Sequence, residues 1–370
     1  MSDQPFNVVF AEEDTLFRLM EMALLRELTP AGEKTLRYFF GDDFQAPLAN
    51  LTSMADKLRL PRGIATKVCQ NDSELDAALP GADYLVVEAS TLDAARVNAC
   101  AQRTKLIQQF GRSVDNIDLA AARRASVPVA NLNRLSSQSS ADHITCLVLA
   151  LARRLIPAHM ASLKRRDPAL SPAWSDDPPR NKFNWAGVKG FRILAHSTIG
   201  FIGLGENSGY VAKRLSNMGM RALYFKRNPL TREDEEALGG VEYSALDELL
   251  AQCDFVSLHL PYSPATEKFA DQSFFAKMKQ GSYLINSARG GVVDERALYE
   301  ALMSGKLAGA ALDVYRYEPL PGDTPLLDLD NVIWTPHMSG GEPEFMIEEG
   351  REVLTNIARA YRGETPVGLV

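Results

Sequence analysis

Along this chain, short apolar runs recur between stretches of helical periodicity, in two separate series. The first series is 6–11 (FNVVFA), 84–90 (YLVVEAS), 105–111 (KLIQQFG) and 127–132 (VPVANL), with a helical stretch after its first member. The second is 198–205 (TIGFIGLG), 221–227 (RALYFKR), 254–261 (DFVSLHLP), 282–289 (SYLINSAR), 308–315 (AGAALDVY) and 331–337 (NVIWTPH). Strand-length runs alternating with helix-length spacers predict parallel sheets flanked by helices, an α/β class. Between the two series, 141–163 (ADHITCLVLALARRLIPAHMASL) has the length and apolar density of one long, mostly buried helix. The Pro- and charge-rich segment 165–185 then breaks it and reads as an exposed arm. A last helix is expected over 342–361, returning to the first domain.

Length adds that two domains of roughly 100–200 residues are expected in a chain of 370. With 46% hydrophobic and 24% charged residues the composition is ordinary for a globular protein, which excludes a disordered chain. A net charge of −7 argues against nucleic acid or an anionic membrane as partner, so an acidic substrate must find a local cationic pocket. The N-terminus lacks a basic start followed by an apolar core, and no run approaches a membrane span; a cytoplasmic location is expected. Cys69, Cys100, Cys146 and Cys253 have no CxxC spacing and are expected to be buried reduced thiols. The five His show no ligand spacing either, and no metal is expected.

The chemistry begins after the run TIGFI, where Gly203-Leu204-Gly205-Glu206-Asn207-Ser208-Gly209 leads into a helical pattern. A strand, a glycine turn and a helix N-terminus make a pyrophosphate cradle, because glycine permits the turn and the helix amides face the anion. The six runs of the second series then fit one doubly wound (Rossmann) dinucleotide domain. Ser208 stands where a third glycine is usual, and serine is small enough for that place. About twenty residues on, where an acid would accept a ribose 2′-hydroxyl, the chain reads Phe225-Lys226-Arg227-Asn228. Lys226 and Arg227 attract a 2′-phosphate, so NADP(H) is expected to be preferred, with NAD(H) possible.

Three polar groups follow successive apolar runs of the same series: Arg289, the 313–318 stretch ending in Glu318, and His337. Strand C-terminal ends face the ligand crevice in this architecture, so the three can converge. Arginine offers two-pronged recognition of a carboxylate, histidine a titratable proton donor, and a nearby glutamate keeps that donor protonated and oriented. This set suits hydride transfer between a nicotinamide and the 2-carbon of a small 2-oxo or 2-hydroxy acid.

The segments GLGENSGYVAKRLSNMGM, DFVSLHLPYSPAT, LINSARGGVVDERALYEALMSGKLAGAALDVYRYEPLP and NVIWTPHMSGG resemble the D-isomer-specific 2-hydroxyacid dehydrogenase family, as do VDNIDLAAARRASVPVANL and ADHITCLVLALARR earlier on. The resemblance implies that Arg289 binds the substrate carboxylate and carbonyl, that His337 is the acid/base and that Glu318 is its partner. It further implies D-specificity, contact of Asp313 with the nicotinamide carboxamide, and cofactor contacts from the backbone at Glu206 and Asn207, from Leu260 and from Ser287. It also implies a flavodoxin-like substrate domain built from both chain ends, here 1–135 with 340–370, around a Rossmann domain at 136–339. The crossover helix and arm near 141–195 are the family's dimer element, so a homodimer is expected.

Several positions depart from the family pattern. Its substrate-binding loop GxGxD is Gly111-Arg112-Ser113-Val114-Asp115 here, leaving Arg112 and Ser113 as substrate-binding candidates. Arg112 turned inward would favour a larger or doubly anionic acid; turned outward it would take no part. The hinge Pro-Gly-x-Asn reads Asn133-Arg134-Leu135-Ser136. Glu88 replaces the arginine of phosphoglycerate-type members and would repel a phosphoester, and the lack of a further domain after Val370 agrees with that expectation. Glyoxylate and hydroxypyruvate are the generic candidate substrates. The alternatives are a phosphite-oxidising enzyme with the same residues and a nucleotide-sensing protein resembling the family's corepressors.

Overall fold

The computed structural model describes residues 5–164, 184, 186–340 and 342–370. The chain divides into two compact units, Met1–Ser136 with Gly341–Val370, and Ser137–Gly340.

The first unit holds a five-stranded parallel sheet of β1 (Asn7–Phe10), β2 (Ala65–Val68), β3 (Tyr84–Val87), β4 (Leu106–Gln109) and β5 (Val129–Ala130), in the order β2-β1-β3-β4-β5. That order is the flavodoxin-like one. Successive side chains of a strand face opposite ways, so Val8 and Phe10 join one core while Val9 joins another. Both faces are covered, which is why these strands read as unbroken apolar runs. The C-terminal helix Pro343–Tyr361 lays Met346, Val353, Leu354 and Ile357 into the first of these cores. Its buried Asn356 donates to Gln108 Oε1 at 2.8 Å, fastening the chain end to β4.

The second unit holds seven parallel strands: β6 (Thr198–Ile202), β7 (Arg221–Phe225), β8 (Glu242–Tyr243), β9 (Phe255–Leu258), β10 (Ser282–Asn286), β11 (Leu307–Leu312) and β12 (Val332–Trp334). They run β12-β11-β10-β9-β6-β7-β8, so the order reverses at β6, as in a Rossmann domain.

The expected single helix over 141–163 is instead two, Leu135–Ala152 and Leu155–Lys164, bent by 59° at Arg153 and Arg154. Arg154 takes a left-handed φ of 53°, which ends the first helix. The first half packs Ile144, Leu147, Val148 and Leu151 against the second sheet, but the second half buries none of its residues. Mostly buried was therefore wrong for that half. Most of the proposed arm, 165–183 and 185, lies outside the described residues. No single helix among the described residues is long and apolar enough to cross a membrane; the bent pair passes only when its halves are counted together. Cys69, Cys100 and Cys253 are buried, whereas Cys146 is exposed: with Asp142 it lies on the outward face of the helix Leu135–Ala152, four residues apart.

Candidate active site

The glycine turn joins β6 to the helix Glu206–Asn217. Gly203 has φ 88°, and a Cβ there would lie 2.7 Å from the His259 carbonyl oxygen and 3.4 Å from Leu260 Cδ2. No other residue fits that turn. Gly205, in contrast, has an ordinary φ of −117°, and among the described residues no atom beyond its chain neighbours lies within 4 Å of a Cβ position, leaving room for a ligand to approach its backbone. Ser208 is more than a tolerated glycine replacement. Its buried hydroxyl accepts the Gly205 N–H at 2.8 Å and lies 3.3 Å from the Gly205 carbonyl, locking the turn to the first helical turn. Asn207 is exposed at that helix start and Glu206 half-buried.

Lys226 and Arg227 follow directly on β7, half-buried and exposed respectively, and among the described residues neither is in an ion pair. The loop after them is pinned by the buried Tyr224, whose hydroxyl accepts Leu230 N–H at 2.8 Å and donates to Glu235 at 2.7 Å. At the end of β10, the Ser287 hydroxyl is shielded from solvent and has no hydrogen-bond partner among the described residues. Such an orphaned polar group, at the C-terminal end of a strand in the same sheet as the glycine turn, fits a polar cofactor.

His337 and Glu318 meet as expected: imidazole Nδ1 and carboxylate Oε2 are 2.6 Å apart. Glu318 is itself fixed, its other oxygen accepting the Tyr315 N–H at 3.0 Å. With Nδ1 engaged by Glu318, Nε2 is the nitrogen left to face a substrate. Arg289 stands just beyond the end of the neighbouring strand, exposed, with its guanidinium donating to the Ala288 carbonyl at 2.7 Å; among the described residues no hydrogen bond or ion pair joins it to Glu318 or His337. What joins the two loops is Gly290, where a Cβ would lie 1.8 Å from the Tyr315 carbonyl carbon. The Arg289 loop is thus pressed against the backbone that holds Glu318.

Asp313 is fully buried and serves the His337 loop. Its Oδ1 accepts from Thr335 Oγ1 at 2.6 Å and Met338 N at 3.0 Å, and its Oδ2 from Ser339 N at 3.0 Å. Burial would raise its pKa, but these bonds, with His143 nearby, outweigh it and hold the carboxyl below its ordinary value. Tyr315 donates to the Thr335 carbonyl at 2.6 Å, and burial pushes its hydroxyl up to about 12, so it remains a donor. Gly290, Tyr315, Thr335 and His143 escaped sequence reasoning; the one available signal was the paired glycine after Arg289.

In the first unit, Arg112 and Ser113 are both exposed beyond β4, and the Arg112 carbonyl accepts from Asn131 at 2.8 Å. Glu88 is not an isolated charge. It pairs with Arg134, whose guanidinium also lies 4.6 Å from the Phe110 ring centre and 3.9 Å from Glu349. Glu12 accepts the backbone N–H groups of Glu88, Ala89 and Ser90, filling that loop's donors with the protein's own carboxylate. Repulsion of a phosphoester by Glu88 is therefore weaker than a bare carboxylate would give. Among the described residues no group of His, Cys, Asp and Glu is placed to hold a metal ion.

Comparison with known proteins agrees with this geometry. The model of the D-isomer specific 2-hydroxyacid dehydrogenase NAD binding domain matches residues 145–339. A glyoxylate reductase of Korarchaeum cryptofilum is 35% identical over 276 residues, 75% of this chain and 79% of that protein. A D-3-phosphoglycerate dehydrogenase of Methanocaldococcus jannaschii is 38% identical over 297 residues, covering 80% of this chain but 53% of that protein. The chain spans about half the length of the phosphoglycerate dehydrogenases it matches. Among solved structures, the TT0316 protein of Thermus thermophilus aligns over 99% of this chain and 100% of its own, with 27% identity and a TM-score of 0.54. With its Rossmann NAD-binding domain and these matches, the chain belongs to the D-isomer specific 2-hydroxyacid dehydrogenase family.

Proposed function

We propose that this protein is an NADP(H)-preferring reductase of small 2-oxo acids, with glyoxylate and hydroxypyruvate as first candidates. The observation that carries the reading is the 2.6 Å contact of His337 with Glu318, at a strand end next to the loop of Arg289. The similarity to a glyoxylate reductase supports the substrate class.

Arg289 receives the substrate carboxylate with its two-pronged guanidinium and polarises the 2-carbonyl. His337 donates the proton from Nε2 to the carbonyl oxygen, while Glu318 holds Nδ1–H and stabilises the charged ring. A nicotinamide held by these residues would supply the hydride for the 2-carbon. Gly203, Gly205, Glu206, Asn207 and Ser208 form the pyrophosphate turn, Lys226 and Arg227 take the 2′-phosphate, and Leu260 and Ser287 line the cofactor site. Asp313 acts chiefly by anchoring the His337 loop. The exposed apolar face of Leu155, Ile156 and Met160 is the seat of a homodimer contact.

The test is a panel of 2-oxo acids assayed with NADPH and with NADH. Turnover of glyoxylate or hydroxypyruvate faster with NADPH is the expected result. An enzyme silent with every acid in both directions would overturn the proposal and favour a nucleotide-sensing role.

A further inference from the structure

The helix Leu135–Ala152 meets the His337 loop at two points on one face. Ser140 Oγ donates to the Ser339 carbonyl at 3.1 Å. One turn on, His143 Nε2 lies 3.2 Å from Thr335 Oγ1 and 3.4 Å from Asp313 Oδ1. The proton at this junction can be assigned. Thr335 has a single hydroxyl proton, and the 2.6 Å contact with the acceptor-only Asp313 commits it there. Thr335 Oγ1 must then accept from His143, so His143 Nε2 carries a hydrogen, shared with Asp313.

Among the described residues His143 is the only ionisable group paired with Asp313, a carboxylate with no solvent exposure. A buried carboxylate short of a donor is costly, and it relaxes by moving whatever its remaining donors belong to. Here those donors are Thr335, Met338 and Ser339, which bracket His337. His337 itself has a left-handed φ of 52°, a conformation that lasts only while its neighbours enforce it.

We infer that His143 is a positioning residue: its Nε2–H completes the donor set of Asp313 and Thr335, and so sets the place of His337 against Glu318. The inference rests on the dehydrogenase reading for its kinetic consequence, but not for its geometry. It asks of residue 143 an N–H at the Nε2 position and nothing more, so glutamine, whose amide nitrogen reaches that place, should serve where an apolar side chain of similar length does not.

The experiment compares His143→Gln, His143→Met and Thr335→Val with wild type, reading turnover, KM, cofactor affinity and melting temperature. The histidine ring signals are followed by NMR and assigned through His337→Ala. Expected for His143→Met is about a tenfold loss of turnover, equivalent to about 1.4 kcal/mol, with KM and cofactor affinity within about twofold. Its His337 ring signals should be shifted, while His143→Gln stays within about threefold of wild type with His337 signals in place. Thr335→Val should behave as His143→Met does, and the double variant should be no worse than either single one, since both break one junction. Wild-type turnover and His337 signals in His143→Met would overturn the inference, as would equal losses in Met and Gln variants tracking a common fall in melting temperature. If wild type reduces no 2-oxo acid, the functional reading fails by itself. The His337 signals still decide the role of His143: displaced by methionine and restored by glutamine, they uphold it; unmoved by methionine, they end it.

Discussion

Two glycines two residues apart in the cofactor turn should respond in opposite ways to the same added methyl group. At Gly203, alanine must hold φ near 88°, costing about 1–2 kcal/mol in the left-handed region. Its Cβ would also sit 2.7 Å from the His259 carbonyl oxygen. That peptide cannot swing away cheaply, because His259 N–H donates to the Ile202 carbonyl at 2.8 Å inside the sheet. Overpacking of this kind adds about 1–3 kcal/mol, and the stiffer unfolded chain offsets only a fraction of a kcal/mol of that loss. A net loss of about 2–4 kcal/mol should lower the melting temperature of a unit this size by about 5–15 °C. At Gly205 the same methyl meets no atom of the described residues beyond its chain neighbours within 4 Å at an ordinary φ, so the melting temperature should hold within about 2 °C. Cofactor affinity should nonetheless fall at least about tenfold, because the methyl occupies the approach to the backbone amides. Calorimetry without cofactor, and fluorescence titration with NADPH, separate the two effects. Gly205→Ala binding NADPH as wild type does would refute the placement of the cofactor at this turn.

Four other outcomes are expected. Replacing Lys226 and Arg227 by alanine should weaken NADPH by about 1–3 kcal/mol per lost contact and NADH much less; wild type preferring NADH tenfold would already contradict this. His337→Ala should abolish most turnover, Glu318→Gln should lower kcat with less effect on KM, and Arg289→Ala should raise KM and depress kcat together with poor rescue by lysine. NADPH affinity, measured by fluorescence, should survive all three. Burial pushes the His259 imidazole down to about 4, so its contribution to stability is full above the unfolded value near 6.5 and lost as pH falls towards 4. Some solvent contact remains at this residue, which puts that loss at about 2–3 kcal/mol, and denaturation of His259→Gln should show a flatter pH dependence over that window. Charges placed at Leu155 and Met160 should convert a light-scattering dimer to monomer, and a monomeric wild type at micromolar concentration would remove the dimer proposal.

The elements that could be read from the sequence are those buried on both faces. β1, β3, β4, β6 and the strands from β9 to β11 stand out as apolar runs because helices cover both sides of their sheets, whereas the edge strand β12, with one buried residue of three, was legible only from its apolar VIW. β2 and β8 do not: ATKV has one buried residue of four and Glu242–Tyr243 has none, as befits strands at sheet edges. The segment between β1 and β2 showed helical character but not its division into three helices, Thr15–Leu25, Pro30–Phe40 and Gln45–Lys57. The bend at Arg154 did have a sequence signal that the expectation of one helix passed over: Pro157 in LALARRLIPAHM has no N–H for the Arg153 carbonyl and its ring crowds that carbonyl, so a continuous helix breaks just before it. Of the site, Arg289, Glu318 and His337 were legible because a charged residue ending an apolar strand has few structural reasons to be there. Gly290, Tyr315 and Thr335 act through backbone atoms or single hydroxyls, and no spacing along the chain reveals which carbonyl they will meet.

That difference has a physical origin. A proton donor held in a left-handed conformation costs about 1–3 kcal/mol, and His337 cannot lower that cost from its own side chain, which is committed to Glu318. The compensation comes from residues on either side: Met338 and Ser339 give their N–H groups to Asp313, the Thr335 carbonyl takes the Tyr315 hydroxyl, and Ser140 caps the Ser339 carbonyl. These supports come from three separate segments, so the loop is fixed only once β11, β12 and the helix Leu135–Ala152 are packed. The reactive group is therefore a product of tertiary structure even where its identity is plain from sequence. Losing one support should cost turnover before it costs the fold, because the sheet beneath is held by apolar burial that none of these hydrogen bonds supplies.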